Sequence, residues 1–195
     1  MKLTAVSNRL QRSGYIVRIF PTAASAARYL SDTIFGKTVG FGGSMTLEAL
    51  GLWDSLSLHN TVYSHLHGFP AGPEAANAQI YISSVNALAE TGEIILIDGD
   101  GNRASAVLFG HEKVYFVIGH NKLASTYDAA IWRARNIAAP LNARRKQKKT
   151  PCAIKADRCY NCNSPERICR AMVTLWRPLS GMETEIILID EDLGF

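Results

Sequence analysis

Seven short runs rich in β-branched and aromatic residues punctuate this chain: Tyr15–Phe20, Lys37–Phe41, Asn60–Ser64, Gln79–Ser83, Glu93–Ile97, Lys113–Ile118 and Glu185–Ile189. They have strand length and mostly end at glycine, polar turn residues or helical sequence. Helical stretches lie between them: residues 3–13, an alanine-rich segment N-capped by Thr22 and reaching about Thr33, Leu47–Leu52, and Ser125–Asn142. Strand alternating with helix restricts the topology to an open, mostly parallel sheet with helices on both faces, an α/β fold. Glu93–Ile97 is apolar after its first residue, as in a strand covered on both sides. Between the clearer elements, Ser84–Gly92 reads as a single helical turn, Ser105–Phe109 as a hairpin partner, Phe69–Pro73 as a loop and Glu166–Trp176 as a helix.

At 195 residues, the expectation is one domain over 1–195, with 143–170 a basic, cysteine-rich segment. A hydrophobic content of 47% against 19% charged residues suits a globular core. No apolar run approaches the about 18 residues that a membrane span needs. The opening MKLTAVSNRLQRSGY lacks an apolar signal core, so the expected location is cytoplasmic.

The strand at Lys37–Phe41 runs into Gly40-Phe-Gly-Gly-Ser-Met-Thr46 and then a helix. Glycines let a backbone approach a ligand, and amides at a helix start attract negative charge. Gly42, Gly43, Ser44 and Thr46 are therefore anion-binding candidates, with Ser44 the natural N-cap; a tight turn with a capped helix accounts for the same residues. Asn86 and Glu90 precede the Glu93–Ile97 strand, and Asp98-Gly-Asp-Gly-Asn-Arg103 follows it. In an open α/β sheet, ligands bind beyond the strand ends. Asn86 and Arg103 are thus expected to bind substrate there, with Glu90, Asp98 and Asp100 as acid–base or nucleophilic candidates. His65 and His67 would share one side of a strand.

All four cysteines, Cys152, Cys159, Cys162 and Cys169, fall within 18 residues in the pattern C-x6-C-x2-C-x6-C. In a chain without a secretory signal, such clustering points to a metal or iron–sulfur site rather than to disulfides. Structural zinc usually has two short C-x2-C knuckles, and here there is one. A 4Fe–4S cluster tolerates longer arms and is favoured, with zinc the alternative. From Arg133 to Arg177 there are 12 Lys and Arg against Asp157 and Glu166 alone. Part of that charge offsets thiolates. The run Arg144-Arg-Lys-Gln-Lys-Lys149 exceeds that need and reads either as a solvated loop or as a docking face for an acidic partner. No interleaved aromatics accompany it, which argues against nucleic acid.

Gly40–Leu52, Asn86–Gly92, Asp98–Arg103, Gly119-His-Asn-Lys122, Ala139-Pro-Leu-Asn142 and the cysteine segment together resemble the LUD (lactate utilisation) domain family, over nearly the whole chain. The resemblance is closest to single-domain members with a C-terminal cysteine motif. It implies a fold similar to ribose-phosphate isomerases and CoA transferases, whose glycine loop binds the substrate's anionic group. By rough position it sets Glu90 where some CoA transferases keep a Glu nucleophile, but the context Ala-Glu-Thr-Gly departs from that motif and the activity does not carry over. Other LUD proteins work beside iron–sulfur subunits in converting L-lactate to pyruvate.

The leading expectation is an iron–sulfur electron-transfer component of a lactate or related 2-hydroxy acid oxidation system. Its partners would be a small anionic metabolite, an acidic electron-transfer protein and a second copy of the chain. The alternatives are an isomerase- or transferase-like enzyme with structural zinc, and a metal or redox sensor.

Overall fold

The computed structural model describes residues 2–68 and 73–195. The expected loop at Phe69–Pro73 lies, up to residue 72, outside the described residues. Six strands form an all-parallel sheet: β1 (Ile16–Phe20), β2 (Thr38–Phe41), β3 (Thr61–Tyr63), β4 (Ile80–Ser83), β7 (Lys113–Gly119) and β10 (Glu183–Ile189), in the spatial order β1-β10-β7-β4-β2-β3. A second, four-stranded sheet holds β5 (Ala87–Ala89), β6 (Ile94–Asp98), β8 (Leu123–Ala124) and β9 (Ala171–Leu175), in the order β8-β5-β6-β9.

Helices cover both faces of the large sheet, for reasons set in each strand's sequence. In β10, Ile186 and Leu188 point into one apolar cluster while Ile187 and Ile189 point into another. Both sets are fully buried, so the strand reads as continuous apolar sequence rather than as alternation. On one face lie α2 (Ala23–Thr33), α3 (Met45–Leu50) and α4 (Leu52–Ser57). The start of α2 is fixed by a capping box in which Thr22 and Ser25 satisfy each other's backbone amides. On the other face lie α1 (Lys2–Arg12), α6 (Asn102–Leu108) and one side of the small sheet. The far side of the small sheet packs Ile95 and Ile97 against Ala130, Ala134 and Ala139. Those alanines belong to one helical run, α7 (Tyr127–Arg133), a π-helical turn (Ala134–Ala138) and α8 (Ala139–Arg145). Pro140 explains the turn: it has no N–H for the carbonyl of Asn136, so the helix cannot keep its ordinary register there.

Five expectations are corrected. Glu93–Ile97 is buried on both faces, but in the small sheet. Ser84–Gly92 contains strand β5, paired antiparallel with β6, and Gly92 turns that hairpin at φ 109°. Ser105–Phe109 is mostly helix α6, whereas Glu166–Trp176 holds strand β9, paired with β6 rather than coiled. Residues 65–67 form a 3₁₀ turn, not a strand; His67 stacks on Trp53 at 4.5 Å and its Nε2 meets Glu48 Oε1 at 3.1 Å. A buried carboxylate, Glu185, is neutralised at the N-terminal strand ends by Lys113 at 2.7 Å and Arg18 at 3.1 Å, and Tyr29 donates to it at 2.7 Å. That network lies at the opposite end of the sheet from the carboxyl ends of the strands.

Candidate functional site

Strand β2 has β3 on one side and β4 on the other, and the later strands continue past β4. The chain reverses its direction of winding there, which is where open α/β sheets form ligand crevices at the carboxyl ends of strands. The glycine loop leaves β2 at this point. A Cβ on Gly42 would lie 2.7 Å from Ser83 Oγ, so only glycine lets β2 and β4 end this close together. Ser44 occupies the N-cap position of α3 in extended conformation, yet its hydroxyl makes no capping bond.

Beneath the loop lies a residue that sequence reasoning passed over. Lys122 is 3% exposed, at the end of the turn that follows β7. Its ammonium donates to Thr46 Oγ1 at 2.7 Å, Ser84 Oγ at 2.9 Å and the Val85 carbonyl at 3.1 Å. All three N–H groups are thus used, and the ends of β7, β4 and β2 are tied together. Burial, with Arg133 and Arg103 adding repulsion, lowers its pKa from the ordinary 10.5 to about 7. Thr46 is correspondingly turned inward: its hydroxyl accepts from Lys122 and donates to the Leu193 carbonyl at 3.0 Å. It braces the loop instead of facing the cleft. In the sequence Lys122 stood only as the last residue of the Gly119-His-Asn-Lys122 motif, three positions past the end of a long apolar strand.

Two arginines surround Asn86. Its side-chain oxygen accepts from the Ile97 amide at 2.7 Å and from Arg103 Nη2 at 2.9 Å. Its backbone carbonyl accepts from Arg133 Nη1 at 2.6 Å, and Arg133 Nε donates to the Asn121 carbonyl at 2.9 Å. Burial lowers the pKa of both arginines, against which Asp98 and then Tyr81 act at Arg103, and Asp192 at Arg133. Asp98 spends both carboxylate oxygens on the loop, accepting from Gly99 N and Ala104 N at 2.7 Å each. Burial alone would raise its pKa, but the Ala104 amide, Arg103 and the Gly99 amide lower it overall. Asp98 is therefore an ionised structural anchor of the turn, not a free acid or base.

Asn86, Asp98 and Arg103 line a cavity of about 990 Å³. Gly43, Asn86, Asp98, Asp100 and Arg103 meet there, as the sequence led us to expect. The opposite wall comes from the basic run and the cysteine segment: Arg145, Lys146 and Lys148, then Pro165 to Ile168 and Arg170. The basic run is thus the end of α8 and the turn after it, with three of its residues on the cleft. Glu90 is elsewhere. It lines a separate cavity of about 880 Å³ with His120, Asp190 and apolar residues of α1 and β1. The hairpin geometry explains this: Glu90 sits past the end of β5, where its amide bonds to the Ala124 carbonyl, whereas Asn86 sits before it. Glu90 thus lines a different cavity from Asp98 and Asp100, with which the sequence had grouped it.

The cysteine segment is joined to the cleft by backbone. Arg170 N–H donates to the Asp98 carbonyl at 2.9 Å, and a Cβ on Gly99 would lie 2.8 Å from the Ile168 carbonyl oxygen. The Asn136 side-chain oxygen accepts from Cys159 N–H at 3.1 Å. Arg167 lines the cavity and also reaches the thiols, with Nη2 3.5 Å from Cys169 Sγ and Nη1 2.9 Å from the Cys162 carbonyl. Cys152 lies on a short helix, α9 (Pro151–Lys155), 3.3 Å from Thr150 Oγ1. All four cysteines are free thiols and half-buried. Their chemistry suits a soft metal or a cluster, and Asn161 at φ 47° turns the Cys159–Cys162 knuckle. Their present arrangement does not: among the described residues, no three metal-capable side chains converge on one position.

Two predictions follow from this geometry. Gly99→Ala pushes Ile168 off the cleft, so anion affinity falls by about tenfold, near 1.4 kcal/mol, and trypsin cuts faster at Arg167 and Arg170; titration and proteolysis check both. Lys122 binds fewer protons folded than unfolded between about pH 7 and 10.5, so its contribution makes stability rise with pH across that window, with a slope of at most about 1.4 kcal/mol per unit. Lys122→Met removes that contribution, read from denaturant unfolding at pH 7 and pH 9.5.

The LUD domain family model matches residues 3–189. A DUF162-family protein from Deinococcus radiodurans is similar in structure, with a TM-score of 0.57 at 12% identity over 96% of both chains. Ribose 5-phosphate isomerase A from Neisseria gonorrhoeae is similar over 53% of each chain, at TM-score 0.37 and 14% identity. The ribose 5-phosphate isomerase from Plasmodium falciparum is similar over 53% of this chain and 52% of its own, at 0.36 and 18%. Neither isomerase is close enough to inform the site. No curated protein matches the chain. With its parallel sheet, strand-end cleft and a family match across nearly its full length, the chain belongs to the LUD domain family.

Proposed function

We propose that this protein is an anion-binding redox component of the lactate-utilisation type. Its cleft takes a carboxylate or related small anion, and its cysteine segment holds an electron-transfer centre beside that anion. The observation that carries the first half is the charge below the cleft. Lys122 and Arg133 are buried and Arg103 is half-buried, and Lys122 has no carboxylate partner among the described residues. Buried positive charge without a counter-ion is costly, and a bound anion offsets that cost.

For the cysteines the proposal is a 4Fe–4S cluster, with zinc the alternative, held by Cys152, Cys159, Cys162 and Cys169. Metal ligation is coupled to local order, so convergence of the four sulfurs belongs to loading. When bound, a cluster would pass single electrons. The chain's own part is to hold the anion between Arg103 and the basic residues of the facing wall, to place Arg167 between cleft and thiols, and to present basic residues to an acidic electron-transfer partner. Lactate oxidation moves two electrons, so a second redox protein or cofactor is required in such a system.

Anaerobic reconstitution with iron and sulfide is the test. The expected product is brown protein with about four irons and four sulfides per chain, lost in each Cys→Ser variant. Tight binding of one zinc, with iron and sulfide rejected, would replace the redox reading by the structural-zinc one.

A further inference from the structure

The charge on the cleft is divided between its two walls. One wall is the turn after β6, with Asp98, Asp100, Asn102 and Arg103. The other carries Arg145, Lys146, Lys148, Arg167 and Arg170 against Glu166 alone. Arg167 is engaged by the cysteines. Glu166 accepts from the Lys149 amide at 3.0 Å. Even with Arg167 set aside, four cations face one carboxylate there: Lys146 and Lys148, Arg145, whose Nε and Nη2 donate to Asn142 Oδ1, and Arg170, whose Nε and Nη2 donate to the Arg167 and Pro165 carbonyls, so that each arginine keeps Nη1 for a ligand. Lactate carries one negative charge, and its three-carbon skeleton fills a small part of about 990 Å³. Cavities of about 300–1,000 Å³ hold ligands of drug size.

The opposite wall asks for different chemistry. Asp98 is spent on the backbone, but Asp100 is exposed and its carboxylate has no side-chain partner among the described residues. An unpaired carboxylate repels an anion and accepts hydrogen bonds from hydroxyl groups. Asn102 stands beside it and can both donate to and accept from hydroxyl groups. The apolar lining is Ile97, Ala139, Pro165 and Ile168, with no aromatic ring among the described residues on which a nucleobase could stack.

We infer that the cleft of this protein is built for a phosphate monoester that carries free hydroxyl groups, its phosphoryl group held by Arg145, Lys148 and Arg170 and its hydroxyls by Asp100. A phosphate monoester has close to two negative charges at neutral pH, which matches the excess on the basic wall. Arginine and lysine hold such groups by charge-assisted hydrogen bonds. This inference rests on the anion-cleft reading above and narrows it, since a small monocarboxylate would use neither the basic wall fully nor Asp100.

The test is calorimetric titration of the reduced full-length chain with glycerol 3-phosphate, inorganic phosphate and L-lactate. Glycerol 3-phosphate should bind at least tenfold more tightly than lactate. Arg145→Ala combined with Lys148→Ala should weaken it at least tenfold without lowering the melting temperature, and Lys148→Arg alone should preserve it. Asp100→Ala should separate the two phosphates, weakening glycerol 3-phosphate while leaving inorganic phosphate unchanged or tighter. Lactate binding as tightly as glycerol 3-phosphate, or phosphate binding indifferent to the paired substitution, would overturn the inference and leave the anion cleft standing. If none of the three anions binds, the cleft reading itself fails and this inference with it.

Discussion

Three hydrogen bonds from one buried ammonium hold the working end of this molecule together. Lys122 reaches from the turn after β7 to Ser84 and Val85 after β4 and to Thr46 behind the glycine loop of β2. These strands are neighbours, and the winding of the sheet reverses among them. A lysine serves here because its three donors meet three acceptors, so the group is satisfied even though it is dry. A neutral side chain of similar length could fill the space but could not tie three loops at once. The cost is positive charge under the cleft floor, with Arg103 and Arg133 adding to it. Structure and ligand preference thus share a cause: what braces the strand ends also makes their crevice attractive to anions.

The cysteine segment extends the same crevice. Gly99 and Ile168 touch at backbone distance, and β9, which leaves the segment, continues the small sheet alongside β6. The segment is therefore a wall of the cleft. Arg167 belongs to both, which gives any change at the thiols a direct route to the charge seen by a bound anion. Reciprocally, an anion that draws on Arg167 changes the surroundings of Cys169 by the same free energy.

Much of this was legible in the sequence because burial leaves simple marks. The parallel strands are short runs rich in apolar residues, and covering on both sides makes the inner ones, β4, β7 and β10, nearly continuous. The rim residues Asn86, Asp98, Asp100 and Arg103 were found because they bracket one such run. The errors came where local preference and tertiary pairing disagree. Ala87-Leu-Ala89 and Ala171–Leu175 contain residues favourable in helices, yet each is drawn into a strand by a ladder with β6. Placing β5 as a strand moves Glu90 past its end and into the other cavity, so a single misread element displaced a supposed catalytic residue. The buried roles of Lys122 and Arg133 were hidden for the opposite reason. Their sequence neighbours say nothing about burial, and only the crossing of three loops reveals what they hold.

The central claim is that an under-compensated Lys122 underlies an anion site. The most direct measurement is a titration of the Lys122 side chain by nuclear magnetic resonance with labelled lysine Cε, in the free protein and with glycerol 3-phosphate. The account predicts a midpoint near 7 in the free protein and a higher one when the anion is bound, since the anion favours the ammonium. An ordinary lysine midpoint that the anion does not move would contradict it.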